Sequence, residues 1–584
     1  MPAFRMRRLP ILLCPIWLAL GACWSIPFLV APHTYPVPTF YSESAAAACW
    51  IVAAVLVLSV AWKRPTGLPS IALAPLALIV VLIAQLAVAP PLNPFFSFGA
   101  IVVLLGAVVI CGLGARCRSM QGVLVAVGTA VIVGGLLTVV VELFQLFRVP
   151  NLPSAFFSML PSGTGRRMWG NLNQPNQVAT YLSFGLAACL FLAYRYPRWR
   201  AFLVLAVLLL LLGMALTFSR MAWLHIAVVG FLAGMSLNAE SRTRIWPARL
   251  LILVGPMLML AVAFQGWNWV IAVANSIWTF DLPGSMGERF EAGVGLRPLL
   301  WKHAWHIFLA HPWLGGGWGD YAWNQFVQTE TLGHVEMSMN AHNIALDLLA
   351  KVGLAGLLAV LIPLGFWVLG LRKRLCEPDT AFLFALVAVM LVHSLLEYPL
   401  HYVFFLFPFA FVLGYLDGND LRFPSPGMTR MLSGVIVICG MALVVRLWPD
   451  YKGVERLYFT QDGVAKELAR YQGSGQLLLV PYATLAIAMN ASVSPEMAPV
   501  MAALERQAAQ FYPGPAPVQR YALALAFQGK NDEAVTQVHR LYHHYWTDFP
   551  AQTPTLRQAC LRYAESLKTF CSRLKSDGLL AGSS

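Results

Sequence analysis

Charge is what this chain has least of. Asp, Glu, Lys and Arg make up 11% of 584 residues, 59% are apolar, and mean hydropathy is +0.67. Soluble domains carry roughly a quarter charged residues, so a soluble globule is excluded. Acid is scarcer than base, 26 residues against 40, for a net charge of +14. Metal-type cysteine spacing is also missing: there are ten cysteines and no CxxC pair. The glycine-rich stretch HPWLGGGWGDY (311–321) lacks the GxxxxGK[ST] pattern and follows no strand, which excludes a nucleotide-phosphate loop. No internal repeat is visible.

What is abundant is long apolar runs. Thirteen spans are expected, at 9–31, 44–61, 68–89, 94–114, 121–147, 172–194, 201–218, 221–238, 249–268, 343–370, 379–396, 400–416 and 431–448. The first has a basic head like a signal peptide but runs too long for one, so it reads as an uncleaved helix. With the N-terminus inside, each inner loop (WKRPTG, GARCRSMQ, YRYPRWR, NAESRTRIWPAR, LRKRLCEPD, LDGNDLRFPSPGMTR) carries Lys or Arg. The outer loops 32–43, 90–93 and 397–399 carry neither. Basic residues thus follow membrane topology, which removes the case for nucleic acid. The fold class expected is an all-α polytopic membrane protein with about thirteen transmembrane helices. Residues 1–448 form its membrane domain, with a large outer loop at 269–342.

An odd number of spans leaves residues 449–584 outside, where the composition turns soluble. VQRYALALAFQGKNDEAVTQVHRLYHHYW has apolar residues at helical spacing around a Gly-Lys-Asn turn, with a second helix from Asp532. One such unit matches a tetratricopeptide repeat only weakly, so a helical domain is the expectation. The tail SDGLLAGSS is expected to be disordered. Cys560 and Cys571 would lie about 16 Å apart on one helix, beyond disulfide reach unless the helix breaks between them.

Polar residues gather in four outer groups. The first is His33 to Tyr41 with Glu43. The second is Gly165 to Gln177, containing Arg166, Arg167, Asn173, Gln174 and Gln177. The third, 286–356, is the longest segment between spans that is not itself apolar. It contains Arg289, Arg297, Lys302 and five of the twelve histidines, ending on Asn340-Ala-His342-Asn343. The fourth is His393 to His401, containing Glu397. Arg220, between two spans, joins them. Positive charge kept outside opposes the topology bias and suits an anionic ligand. Guanidinium groups pair with phosphate oxygens in bidentate fashion, amide side chains suit sugar hydroxyls, and a histidine serves as general base near neutral pH. The combination suggests glycosyl transfer from a lipid diphosphate. Each feature has a plainer reading too. His342 and NQPNQ could be helix caps, Glu397 a solvated helix end, and the glycines an ordinary turn with Trp313 and Trp318 as interface anchors.

Several of these segments resemble the O-antigen ligase and polymerase (Wzy_C-type) superfamily. They are SR at 219–220, LRPLLWKHAW, HPWLGGGWGDY and AHNIALDLLAKVGLAG. HTYPVPTFYSE, GNLNQPNQ and HSLLEYPLHY resemble the PglL-type bacterial protein O-oligosaccharyltransferases within it. The resemblance implies a GT-C-like enzyme of the bacterial inner membrane with its site on the periplasmic side and no metal or nucleotide cofactor. Its donor would be a glycan on undecaprenyl diphosphate, and its acceptor a hydroxyl of a periplasmic protein such as a pilin. It further implies His342 as base, Arg220 and Arg297 on the diphosphate, and Asn173, Gln174 and Gln177 on glycan or acceptor. Arg289, Arg166 and Arg167 join as anion binders from charge and position alone. Asp347 and Lys351 receive no role. An O-antigen ligase or polymerase, using the same donor with a sugar acceptor, is the second reading. A transporter is the third, and fits poorly because the polar groups collect at one face.

Overall fold

A computed structural model describes residues 14–60, 67–159, 163, 165–284, 295–421, 426–459, 478–491 and 493–580. It is helical nearly throughout, because a chain this apolar must satisfy its backbone groups within each spanning segment. Among the described residues ten helices are long and apolar enough to cross a membrane: Phe40–Val60, Ser70–Val88, Pro94–Cys117, Val123–Leu146, Pro175–Arg195, Pro197–Leu216, Met221–Glu240, Trp246–Trp278, Ile344–Leu371 and Arg430–Phe459. Three shorter apolar helices, Cys14–Leu29, Pro378–Ser394 and Val403–Leu416, occupy the other expected spans. The basic head before Cys14 lies outside the described residues. The sheet found among them is one antiparallel pair, Leu68–Pro69 with Asp420–Leu421.

Lengths depart from expectation at three helices. Trp246–Trp278 has 33 residues, about 50 Å, and outruns the expected 249–268. Pro426–Phe459 continues through Pro449, so the change in composition near 450 falls within a helix. Ile344–Leu371, expected as one span, is broken at Gly353, whose φ of 65° and ψ of −165° are not helical.

The chain divides into two compact units. The first comprises 1–76, 103–293 and 361–444; the second comprises 77–102, 294–360 and 445–584. The first unit is centred on buried aromatic side chains including Trp24, Phe28, Trp50, Tyr181, Phe184 and Phe405. The Phe28 and Tyr181 rings stack at 4.1 Å and Phe405 meets Phe28 edge-on at 5.3 Å. Glycines allow helices to touch backbone to backbone. A Cβ on Gly414 would fall 1.9 Å from the Cys111 carbonyl, and one on Gly114 would fall 2.1 Å from that of Phe411.

The second unit is built from shorter amphipathic helices. Pro515–Phe527 and Asn531–His544 form the expected helix-turn-helix, with Gly529 at φ 77° in the turn. Val518, Ala522 and Leu525 are buried with Val538 and Leu541 in one cluster. Cys560 and Cys571 are disulfide-bonded with Cα atoms 5.9 Å apart. The helix does break between them, into Pro554–Arg562 and Lys568–Ser576, so the one-helix separation does not apply. Residues 576–580, part of the tail expected to be disordered, are described. Leu579 is buried, and 581–584 lie outside the described residues.

Candidate active site

In the second unit His342 sits in a sharp turn just before the Ile344 helix. Its φ of 53° is left-handed, a backbone state that a non-glycine residue keeps only when its neighbours hold it. They do so on both sides. The Asn343 side-chain oxygen accepts from the amides of Ala345 and Leu346 at 3.1 Å each, so Asn343 caps the helix and His342 does not. The Asp347 carboxylate accepts from the Ala341 amide at 2.9 Å and pairs with Lys351 at 3.0 Å. Lys351 donates in turn to the Asn340 side-chain oxygen. Asp347 and Lys351 are almost wholly buried, at 1% and 4% side-chain exposure, so the ion pair clamps the turn from beneath. His342 itself is half-buried, and Arg297 is half-buried at the first position of the helix Arg297–Ala310.

The glycine-rich stretch supports this turn. The break at Gly353 frees carbonyls that the glycine amides then satisfy. Gly316 donates to Ala350 at 2.8 Å and Gly317 to Lys351 at 3.2 Å, while Leu354 donates to Pro312 at 2.8 Å. A Cβ on Gly315 would meet the Lys351 backbone at 2.3 Å, and one on Gly353 would meet Trp313 at 2.4 Å. Gln85, fully buried, donates to the carbonyls of Leu314 and Lys351 and accepts from the Trp318 amide. Asp320 accepts from the Leu92 amide at 2.6 Å and the Asn93 amide at 2.9 Å. Burial nevertheless raises the Asp320 carboxyl above its ordinary range. The Lys351 ammonium also lies over the rings of Trp318 and Tyr321, at 5.6 and 5.8 Å. Trp318 is thus tied to the clamp, whereas Trp313 is exposed.

In the first unit three of the four polar groups come together around Asn176. Its side-chain oxygen accepts from Ser219 Oγ at 2.8 Å and Arg167 Nη2 at 3.2 Å, and its nitrogen donates to Glu397 Oε1 at 3.2 Å. Arg167 Nε donates to the Thr217 carbonyl at 2.8 Å. Glu397 is therefore a buried partner and not a solvated helix end. One turn further along, Thr180 meets His393 at 2.8 Å. Glu43, in the first turn of the helix Phe40–Val60, accepts from the Val403 amide at 2.7 Å, which ties the first polar group to the segment following Glu397. Arg220, half-buried, directly follows Ser219 and precedes the helix Met221–Glu240.

The NQPNQ residues divide between cap and interior. Gln174 caps the helix Pro175–Arg195, accepting from the Gln177 amide at 2.6 Å. Gln177 is buried, and its Oε1 has no protein partner among the described residues. Asn173 is half-buried with φ 57°. Arg166 donates to the Phe280 carbonyl at 2.8 Å, and Arg148 pairs with Asp281. Both arginines therefore hold the 280–281 segment. Burial, and then the charge of Arg148, lower the Arg166 pKa, while Asp281 raises it. Arg289 lies outside the described residues.

Sequence reasoning missed Asn176, although it stands inside NQPNQ. It also missed Gln145, Asn171 and Gln85, buried amides that satisfy loop backbone. Gln145 donates to the carbonyls of Ser158 and Gly170, and Asn171 donates to those of Leu29 and Phe156. For Gln85 and Gln145 the signal available was a lone amide in an apolar span, which must find partners.

Three family models match this chain in succession. A protein glycosylation ligase model covers 168–193, an O-antigen ligase model covers 205–361, and a model for the C-terminal part of a virulence-factor membrane-bound polymerase covers 381–559. A general O-oligosaccharyltransferase of Acinetobacter baylyi is 25% identical over 449 residues, 73% of this chain and 74% of the relative. A ComP-specific O-oligosaccharyltransferase of the same organism is 27% identical over 279 residues, 46% and 47% of the two chains. The ordered matches run through the Asn176 hub and the His342 turn, and by them the chain is similar to the O-antigen ligases and, within these, to protein glycosylation ligases of the PglL type.

Proposed function

We propose that the chain transfers an oligosaccharide en bloc from undecaprenyl diphosphate to Ser or Thr hydroxyls of periplasmic proteins. The observation that carries this reading is that both relatives are named for O-oligosaccharyl transfer, while the protein glycosylation model falls on the stretch containing Asn176. The reaction is a direct displacement. The acceptor oxygen attacks the anomeric carbon, its proton passes to His342, and the bond to the diphosphate breaks with its electron pair leaving on phosphate oxygen. Inversion follows. Arg297 and Arg220 stabilise the charge on the departing diphosphate. Arg297 suits that role because the helix it opens presents its positive end at the same place. Gln177 supports glycan or acceptor contact, since its buried oxygen lacks a protein donor among the described residues. Arg167 and Glu397 contribute by organising Asn176 and Ser219 beside Arg220. No metal or nucleotide cofactor enters the proposal. The Cys560–Cys571 disulfide supports an oxidising, periplasmic setting for the C-terminal region.

The same donor chemistry with lipid A core or a growing sugar chain as acceptor is the second reading, favoured by the O-antigen ligase and polymerase matches. Expression with a lipid-linked glycan pathway in a ligase-null Gram-negative host separates the two. Glycan on Ser or Thr of periplasmic proteins supports the first, and glycan on lipid A core the second. His342→Ala should abolish transfer while the protein stays inserted and still binds lipid-linked donor; full activity in that variant removes His342 from the mechanism.

A further inference from the structure

The first unit contains a cavity of about 430 Å³ that the proposed reaction does not use. It opens between the helices Pro175–Arg195, Arg200–Leu216, Met221–Glu240, Trp246–Trp278 and Pro378–Ser394. Its walls are apolar, formed by residues such as Leu190, Leu232 and Met259. From Leu237 to Val229 it runs about 12 Å along one helix. Polar side chains appear chiefly at one end, where Tyr194, Arg200 and Ser236 line it. Arg200 Nε donates to the Ala193 carbonyl at 3.2 Å, and its two terminal nitrogens have no protein acceptor among the described residues. The carboxylates at this end are already engaged. Glu240 accepts from the Tyr194 hydroxyl, and Asp379 pairs with Arg195 at 3.2 Å. Arg198 adds further positive charge in the same short connection.

We propose that this cavity is a binding site for one anionic glycerophospholipid, with an acyl chain between the helices and the phosphate on Arg200. An apolar slot with a basic mouth is what a lipid of that kind complements. The lipid-linked donor is a poorer match. Its diphosphate would belong near Asn176, which lies roughly 27 Å from Tyr194 at the opposite end of the same helix. The site is therefore separate from the transfer reaction, and its existence does not depend on that assignment.

The test is native mass spectrometry of the full chain, purified in detergent and titrated with phosphatidylglycerol or phosphatidylcholine of identical chains. Wild type should bind one phosphatidylglycerol about fivefold more tightly than phosphatidylcholine, the preference one arginine confers for a headgroup of net negative charge over a zwitterion whose phosphate is neutralised by its own choline. Arg200→Gln should erase the preference while chain binding persists. Ala233→Phe should fill the slot and remove both lipids; Leu208→Phe, nearer the surface, is the companion should the first variant not fold. Equal affinity of wild type for the two lipids overturns the proposal, as does retention of the lipid in both filled variants. Displacement of phosphatidylglycerol by equimolar undecaprenyl phosphate also overturns it, assigning the slot to the donor.

Discussion

The clamp beneath His342 gives the sharpest test of how this site is built. Lys351 and Asp347 pair at 3.0 Å with almost no exposure, and they hold Asn340 and Ala341 on either side of the turn. Lys351→Met leaves the Asp347 charge buried without its ammonium partner. Removing one partner of a buried ion pair costs about 3–5 kcal/mol. Combining Lys351→Met with Asp347→Leu removes both charges, so the main loss left is the unmet Ala341 amide, about 1–3 kcal/mol, because the half-buried Asn340 can turn its freed oxygen to solvent. The double variant should therefore be more stable than the single one. At about 2–4 °C per kcal/mol, the single substitution should lower the melting temperature by roughly 10 °C and the double by half of that or less. Activity should behave differently. Both variants lose the anchors of the His342 turn, and a misplacement of about 1 Å costs on the order of a hundredfold in rate. Thermal melting of the purified protein, hydrogen exchange of the 338–352 peptide and an in vitro transfer assay read the two effects separately. A Lys351→Met protein that melts and transfers glycan like wild type would refute this account, as would a double variant less stable than the single.

Other outcomes follow from the same structure. Gly353→Ala meets both a glycine-only backbone state, worth about 1–3 kcal/mol, and a 2.4 Å clash with Trp313, so it should lower the melting temperature and activity together. Gly365→Ala, with nothing within 4 Å of its Cβ, is the control that should change neither. Asn176→Asp would set a second carboxylate against Glu397 in place of a nitrogen 3.2 Å away. Transfer should fall at neutral pH and partly recover on mild acidification, when the two carboxyls share a proton; a flat pH profile relative to wild type would count against the hub. His544 is buried with both ring nitrogens unpartnered among the described residues, and burial, then His303, depress its pKa to about 3. A histidine so depressed contributes stability above about pH 6.5 that is lost as pH falls toward 3. By pH 5 that loss is about 2 kcal/mol. His544→Phe, beside Phe326 at 5.2 Å, should therefore lose less melting temperature between pH 8 and pH 5 than wild type does. An equal loss in both proteins would show that His544 is not responsible.

The positions and number of the apolar helices were legible in the sequence, because an apolar run of spanning length has few other ways to satisfy its backbone. The helix-turn-helix around Gly529 was legible for a similar reason: its apolar period and turn residues lie close together in the chain. The segments expected to carry the site were legible as polar exceptions, including 165–177, Arg220 and the run ending at His342. Their partnerships were not. Asn176 joins Arg167, Ser219 and Glu397 across separations of 9, 43 and 221 residues. Gln85 reaches a carbonyl 266 residues away. Such pairings arise because buried amides and carboxylates must find donors or acceptors wherever packing brings them, and spacing along the chain does not encode that search. The break at Gly353 hid within an unbroken apolar run, since a glycine there looks like any membrane-helix glycine until the Gly315–Gly317 turn is packed against it. Composition and hydropathy thus specified the membrane helices. Packing turned Asp347 and Lys351, a commonplace i,i+4 pair in the sequence, into the clamp that holds the His342 turn.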